Sequence, residues 1–217
     1  MVTAIVFDFD GVLADSEPLH FAAYQEVFSS LGVELTREEY YANYLGYDDR
    51  GVFRKLGEAQ GWALDDRRVE ALLEEKSRIF DAVIQRTDVL YPGAAECVHR
   101  LAAHFPLGIA SGALRYEIEM VLRRAGLDRW FRFIIGAGDT ANSKPSPDPY
   151  SRAAELHGVP ASACVAIEDS HWGIESAKAA GLKCIGITTT YPASELGSAD
   201  HIIDSLEEFS HELILAL

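Results

Sequence analysis

Acidic, basic and hydroxyl side chains follow four apolar runs of this sequence, in an arrangement that suits the binding of a metal and an anion. The run VTAIVF at 2–7 ends in Asp8 and Asp10, two carboxylates that are separated by one residue. On an extended segment this spacing turns both side chains to the same side. Three later runs end near the other candidates, which are Ser111, Gly112, Lys144, Glu168 and Asp169.

These residue types in one place predict phosphoryl chemistry. Clustered carboxylates repel one another unless a cation lies among them, and hard oxygen ligands suit Mg²⁺ shared with a phosphate. Lys144 supplies positive charge, and Ser111 with nearby backbone N–H groups supplies hydrogen-bond donors. In such a site Asp8 would attack phosphorus, and Asp10 would exchange a proton with the leaving alcohol and then with water.

Each of these residues alone has a simpler interpretation. Two aspartates after a strand can form a turn, and a lysine in a loop can lie in solvent. Ser111, or the pair Glu168 and Asp169, can cap the helix that follows. The occurrence of all of them in order, at the ends of successive strands, favours the catalytic interpretation.

The elements that must position these residues are predicted from apolar runs and helical periodicity. Buried parallel strands are indicated by β-rich runs at 2–7, 107–111, 133–137, 164–169, 183–188 and 201–204. Helical patterns alternate with them at 93–104, 115–125, 147–157 and 172–180. This alternation predicts an α/β fold with an open parallel sheet. Ligands bind beyond the carboxyl ends of such strands, so we expect the candidates to meet at one edge.

Residues 15–87 break the alternation and show helical patterns only. Ser16 is predicted to cap the first of these helices, and a second apolar stripe runs over 65–84. We therefore expect two domains. The α/β catalytic core domain would comprise 1–14 and 88–217, and the helical cap domain 15–87.

Charge and composition exclude several classes of partner. The 217-residue chain has a formal net charge of −15, which argues against binding to nucleic acid or to an anionic membrane surface. No stretch approaches the ~18 apolar residues of a transmembrane helix. Its three cysteines are far apart, which indicates free buried thiols in a reducing compartment. We expect a soluble cytoplasmic protein without a signal peptide, and a monomer.

The same segments resemble the four ordered motifs of the haloacid dehalogenase superfamily. DFDGVLADSE at 8–17 resembles the first motif, D-x-D-G-[VT], and ASGA at 110–113 is similar to the second. SKPSPDPY at 143–150 resembles the third, K-P-x-P-x-x-[FY], and IEDSHWGIESAKAAG at 167–181 resembles the fourth. The helical insert resembles the cap of the branch that includes β-phosphoglucomutase and phosphoglycolate phosphatase.

The resemblance implies a Rossmann-like core and assigns roles to the matching residues. It makes Asp8 the nucleophile and Asp10 the general acid and base. Dehalogenases and phosphonate-cleaving members lack an acid at the position of Asp10, so the presence of Asp10 argues against both activities. The implied ligands of Mg²⁺ are Asp8, the backbone carbonyl of Asp10, Asp169, and Glu168 directly or through water. The implied phosphoryl-binding residues are Ser111, Gly112 and Lys144.

Three cap residues resemble substrate-binding positions of that branch: His20, Lys76 and Arg50. Lys76 interrupts an apolar stripe, so its charge either reaches solvent at the edge of the stripe or is directed at the active site. His20 can also be an ordinary residue of a helix surface. The loop YLGYDDRGVF at 44–53 resembles the specificity loop. The sugar mutase has a basic residue three positions after its glycine, whereas this chain has Asp49 there and Arg50 next.

This departure favours a hydrolase over a mutase. The sequence therefore predicts a Mg²⁺-dependent phosphatase that cleaves a small phosphorylated metabolite, such as a sugar phosphate, through an aspartyl-phosphate. The first alternative is a β-phosphoglucomutase-like mutase, which would return the phosphoryl group to a sugar hydroxyl. The second is a non-catalytic binding protein, for which we would expect a broken motif.

Overall fold

The computed structural model describes residues 1–44, 47 and 49–217, and it divides the chain into two compact units. The core unit consists of Met1–Asp15 and Asp88–Leu217, and the cap unit of Ser16–Thr87. The predicted specificity loop at 44–53 includes Leu45, Gly46 and Asp48, which lie outside the described residues.

A six-stranded parallel sheet forms the centre of the core unit. Its strands lie in the order β3-β2-β1-β4-β5-β6, which confirms the predicted α/β fold with a Rossmann-like parallel sheet. The strands are β1 Ala4–Phe7, β2 Leu107–Ala110, β3 Phe131–Ile135, β4 Cys164–Glu168, β5 Lys183–Ile187 and β6 His201–Ile203. Every residue of β1, β2 and β4 is buried, as expected for strands covered on both faces.

The strand register aligns the carboxyl ends of β1, β2 and β4, which the candidate site residues follow. Phe7, the last residue of β1, lies opposite Ile109 of β2 and Ile167 of β4. Asp8, which comes next, donates its backbone N–H to the carbonyl of Ile167 at 2.9 Å. Consequently the residues after β1, β2 and β4 emerge together at the carboxyl edge of the sheet.

Helices connect these strands, as in other open α/β sheets. Those of the core are α5 Ala94–Ala102, α6 Arg115–Ala125, α7 Asp148–His157, α8 His171–Ala179 and α9 His211–Ala216. Gly126 and Gly158 end α6 and α7 in the left-handed conformation, in which the backbone N–H bonds to carbonyls of the last turn.

The cap unit consists of helices that pack around an aromatic interior. They are α1 Glu17–Ser30, α2 Arg37–Asn43, α3 Asp49–Gln60 and α4 Asp66–Ile84. Tyr24 and Phe28 of α1 contact Phe53 of α3 with ring centroids 5.7 and 5.6 Å apart. Ser16 is the N-cap residue of α1 and Pro18 lies in the first turn, as predicted, but the side chain of Ser16 makes no capping hydrogen bond.

No helix among the described residues is long and apolar enough to span a membrane. All three cysteines, Cys97, Cys164 and Cys184, are buried and form no disulfide.

Candidate active site

Three buried carboxylates meet at the carboxyl edge of the core sheet. Asp8, Glu168 and Asp169 each place an oxygen so that the three atoms lie within 4.8 Å of one another. Buried oxygen donors at this spacing fit a hard divalent cation such as Mg²⁺. Burial, together with the charges of Asp8 and Glu168, raises the pKa of Asp169 to about 8. The carboxylates therefore repel one another strongly when no cation is bound.

Lys144 lies within this acidic group. Its ammonium donates to Oδ1 of Asp8 at 2.8 Å and to Oε1 of Glu168 at 2.5 Å. The lysine side chain is only 14% exposed, so the alternative of a solvated loop lysine is excluded. Burial alone would lower the pKa of Lys144, but the carboxylates of Asp8 and Glu168 raise it above its usual range. Lys144 is thus a fixed positive charge beside the predicted nucleophile.

The turn after β1 places Asp10 and makes room for Asp169. Asp10 pairs with Ala14 in a short parallel bridge, and the N–H of Gly11 donates to the carbonyl of Ala14 at 2.9 Å. Gly11 has a φ of +76°, and a Cβ there would lie 1.9 Å from Oδ2 of Asp169. Only glycine meets both requirements, which explains the residue that follows Asp10.

The alternative capping roles of the candidates do not occur. Ser111 is buried, and its Oγ accepts from the N–H of Ala113, whereas α6 begins only at Arg115. Ser170, not Glu168 or Asp169, caps α8 through the N–H of Gly173 at 3.1 Å. The carboxylates of Glu168 and Asp169 therefore do not cap α8.

Gly112 follows Ser111 and is exposed, with open space where its Cβ would be. Sterics therefore do not require glycine at this position, and its predicted role in binding through the backbone stays a prediction.

Two residues of the site were not among the candidates predicted from the sequence. Tyr150 is fully buried and donates its hydroxyl to Oε1 of Glu168 at 2.5 Å. Thr190, in the loop after β5, hydrogen-bonds to Asp169. The aromatic position of the third motif was a signal for Tyr150, whereas a threonine in a polar loop gave none for Thr190.

A second polar cluster lies within the cap unit and contains His20, Lys76 and Asp49. The ammonium of Lys76 is 2.8 Å from Nδ1 of His20 and 3.0 and 2.9 Å from the two oxygens of Asp49. Tyr24 donates to Oδ1 of Asp49 at 2.5 Å. Lys76 is 1% exposed, so its charge does not reach solvent at the edge of the stripe.

The charges of this cluster follow from burial and pairing. Burial and the neighbouring Lys76 lower the pKa of His20 to about 3, so its imidazole is neutral near pH 7. Burial alone would raise the pKa of Asp49, but the charge of Lys76 lowers it below its usual value. The guanidinium of Arg50 forms an ion pair with Glu70 of α4. Lys76 and Asp49 thus neutralise each other.

The chain matches known proteins over most of its length. Residues 5–187 match the family described as haloacid dehalogenase-like hydrolases. Over 209 residues the chain is 34% identical to SUPPRESSOR OF QUENCHING 1, chloroplastic, of Arabidopsis thaliana, a match that spans 91% of this chain but only 19% of that protein. The chain therefore corresponds to one part of a longer plant protein.

Two bacterial relatives match over most of both chains. Protein CbbY of Rhodobacter capsulatus is 30% identical, with 97% of this chain and 96% of that protein covered. The phosphorylated carbohydrates phosphatase of Thermotoga maritima is 32% identical, with coverages of 84% and 83%. The relative named as a phosphatase confirms the predicted enzyme class, a phosphoric monoester hydrolase.

Solved structures agree with this assignment. The crystal structure of CbbY from Rhodobacter sphaeroides in complex with phosphate superposes with a TM-score of 0.86 at 30% identity, over 100% of both chains. A second crystal structure of that protein contains xylulose-(1,5)bisphosphate and has a TM-score of 0.83, also at 30% identity, over 96% of both chains. The chain belongs to the haloacid dehalogenase-like hydrolase family, in the branch that includes CbbY, phosphoglycolate phosphatase and β-phosphoglucomutase.

Proposed function

We propose that the protein is a Mg²⁺-dependent phosphatase that hydrolyses a small phosphorylated metabolite, of the sugar phosphate type, through an aspartyl-phosphate on Asp8. The observation that carries this proposal is the ammonium of Lys144 between Asp8 and Glu168, within a group of three buried carboxylates. The relative named as a phosphorylated carbohydrates phosphatase supports the same class of substrate.

The proposed reaction begins with attack of an Asp8 oxygen on phosphorus. The bond between phosphorus and the ester oxygen breaks, and Asp10 gives its proton to the leaving alkoxide. Asp10 then takes a proton from a water molecule that attacks the aspartyl-phosphate, which releases inorganic phosphate and restores both carboxyl groups. Lys144 lowers the repulsion between Asp8 and the phosphate dianion and stabilises charge in the transition state.

The residues that would hold Mg²⁺ are Asp8, Glu168, Asp169 and the backbone carbonyl of Asp10. When bound, Mg²⁺ would neutralise these carboxylates and polarise the phosphoryl oxygens. The hydroxyl of Ser111 and the backbone N–H of Gly112 would supply neutral donors to the same phosphoryl group.

The cap cluster supports hydrolysis over phosphosugar transfer. A mutase must hold a substrate with a second phosphate, which calls for a free positive charge. Here Asp49 occupies the position at which the related mutase has a basic residue, and it pairs with Lys76. Arg50, the other cation proposed for substrate binding, pairs with Glu70. In our proposal His20 and Lys76 bind a neutral part of the substrate, such as its hydroxyl groups.

The test is a panel of phosphomonoesters with Mg²⁺ that includes sugar phosphates, phosphoglycolate, nucleotides and bisphosphates. We expect release of inorganic phosphate, and we expect Asp8→Asn to abolish it because the amide is a poor nucleophile. The matched control is Asp128→Asn, at an exposed aspartate, which should keep wild-type turnover. Phosphate release by Asp8→Asn at the wild-type rate would remove Asp8 from its proposed role.

The mutase alternative is tested with a hexose 1-phosphate and a trace of the corresponding bisphosphate. A phosphatase releases phosphate, whereas a mutase forms the isomeric hexose phosphate. Isomer formation without release of phosphate would reject the proposed hydrolase.

A further inference from the structure

We propose that Tyr150 is a positioning residue of the phosphoryl site, which fixes the carboxylate of Glu168 so that its two oxygens have different tasks. Oε1 holds Lys144, and Oε2 is left for the divalent cation or for a water bound to it. This inference rests on the proposed function, because it assumes that Glu168 belongs to the cation site.

The contacts of Glu168 divide unequally between its two oxygens. Oε1 accepts from the hydroxyl of Tyr150 and from the ammonium of Lys144, each at 2.5 Å. Oε2 accepts only one longer bond among those described, from Oγ of Ser170 at 3.3 Å. A carboxylate oxygen with two short donors has little capacity left for a cation, so the remaining capacity lies on Oε2.

The contacts of Glu168 restrict rotation of its carboxylate plane. The carboxyl group is completely buried, and a Cβ at Gly173 would lie 1.9 Å from Oε2 and 2.1 Å from Oε1. The backbone of α8 therefore closes one side of the carboxylate, and the hydroxyl of Tyr150, which donates to the same oxygen as Lys144, fixes the orientation of the carboxylate plane. Tyr150 also places its ring 5.1 Å from the ammonium of Lys144, a favourable distance for a cation beside an aromatic ring.

The packing of Tyr150 alone does not account for its hydroxyl. The side chain belongs to a buried apolar cluster with Ile174 and Leu182, where phenylalanine would fill nearly the same volume. The third motif, K-P-x-P-x-x-[FY], accepts either residue at this position. A buried hydroxyl needs a partner, and here that partner is the carboxylate whose orientation matters for the site.

The test is Tyr150→Phe, which keeps the ring and removes the hydroxyl. Mg²⁺ binding to the metal-free protein is measured by calorimetry, and Mn²⁺ binding by electron paramagnetic resonance. We expect affinity for both ions to fall about tenfold, the effect typical of losing a residue that orients a metal ligand. In turnover of a phosphomonoester accepted by the wild type, we expect kcat to fall more than KM rises, because Lys144 loses its fixed position beside Asp8.

Leu182→Ala is the matched control for loss of packing in the same cluster. It should lower thermal stability at least as much as Tyr150→Phe and leave cation affinity unchanged. A double-mutant cycle with Glu168→Ala gives the second measurement, since Tyr150→Phe should have no further effect on cation affinity once the carboxylate is absent.

Wild-type cation affinity and kcat in Tyr150→Phe would overturn the inference, as would an equal loss of affinity with and without Glu168. A wild-type protein that binds Mg²⁺ but releases no phosphate from any ester would instead overturn the proposed function. The affinity measurements do not depend on turnover, so the two failures are distinguishable.

Discussion

Lys144 carries a structural and a chemical role that cannot be separated at the scale of the residue. It is the cation that allows Asp8 and Glu168 to be buried together, and its ammonium touches both carboxylates. Breaking such a buried pair by removing one partner typically costs about 3–5 kcal/mol. Loss of activity in a Lys144 variant would therefore not by itself identify a catalytic role. For that reason none of the experiments depends on a Lys144 variant.

Lys76 and His20 form a second buried pairing, whose protonation can be tested. Nδ1 of His20 lies 2.8 Å from the ammonium of Lys76, and the imidazole stacks on Phe80 with ring centroids 4.2 Å apart. A proton on this nitrogen would place two cations in contact. The histidine is therefore held neutral in the folded state, whereas it gains a proton near pH 6.5 when the chain unfolds.

This difference predicts that His20 destabilises the folded protein in acid. At His20 the unfolded state binds more protons than the folded state between pH 6.5 and about 3, so the contribution of this residue to the free energy of unfolding falls as pH decreases through this range. Asp169, whose pKa is raised to about 8, contributes with the opposite sign, so the contribution of His20 is obtained by comparing variants. His20 alone should account for about 2–3 kcal/mol between pH 7 and pH ~4.5. Urea denaturation at several pH values measures this dependence.

His20→Asn isolates the contribution, because the Asn side-chain oxygen can still accept from Lys76 but does not titrate. As pH decreases from 7 to ~4.5, the free energy of unfolding of this variant should rise relative to that of wild type, whatever its stability at pH 7. His201→Asn, at an exposed histidine of β6, is the control and should keep the wild-type dependence. Equal pH dependence in wild type and His20→Asn would mean that the imidazole is not held neutral.

At the scale of the element, the site constrains the sequence of α8. Its first turn contains Gly173, a residue that lowers helix stability by about 1 kcal/mol relative to alanine. The glycine is needed because Glu168 lies against the helix backbone, within 2.1 Å of where a Cβ would be. Glycine at this position therefore lowers the helix propensity of α8 but leaves room for the buried carboxylate of Glu168.

Gly173→Ala should therefore reduce stability and cation binding although it improves helix propensity. We expect a loss of at least ~1 kcal/mol in the free energy of unfolding, because the added methyl displaces Glu168 from Lys144 and Tyr150. Gly197→Ala, where a Cβ meets no atom within 4 Å, should be nearly neutral. Calorimetric titration with Mg²⁺ and thermal unfolding compare the two variants. A Gly173→Ala protein more stable than wild type would show that Glu168 can move at little cost.

The elements themselves were largely predictable, and the errors have physical reasons. The uniformly apolar strands β1, β2 and β4 are recognisable because burial on both faces removes polar residues. For β3 the prediction began two residues late, because the strand starts with Phe131 and then exposes Arg132, which interrupts the apolar run. Its predicted end was also wrong, since the N–H of Gly136 already bonds to the side chain of Asp139 in a turn.

At the scale of the whole molecule, the limit of sequence reasoning is set by pairings between distant residues. Asp8, Lys144 and Glu168 could be found because an open parallel sheet brings strand ends to one edge. Partners such as Asp49 for Lys76 could not, because the sequence shows a charge in an apolar stripe but not which of many acids reaches it. The same holds for the hydroxyl of Tyr150, which was not distinguished from an ordinary core aromatic.

The whole chain also provides a test of the cation site that needs no substrate. A cation that binds only the folded protein stabilises it by about 2.7 kcal/mol at ~100 times its dissociation constant. For a chain of this size each kcal/mol raises Tm by about 2–4 °C, so Mg²⁺ should raise Tm by about 5–10 °C. Thermal unfolding followed by circular dichroism measures the shift.

The net charge of −15 requires a specific control, because any salt relieves repulsion in so acidic a chain. NaCl at matched ionic strength should therefore produce only part of the Mg²⁺ effect. Asp169→Asn removes one of the buried carboxylates and should lose the part specific to Mg²⁺ while keeping the part common to both salts. Equal shifts with Mg²⁺ and NaCl in the wild type would show that the acidic cluster binds no cation, and the metal-dependent mechanism would have to be abandoned.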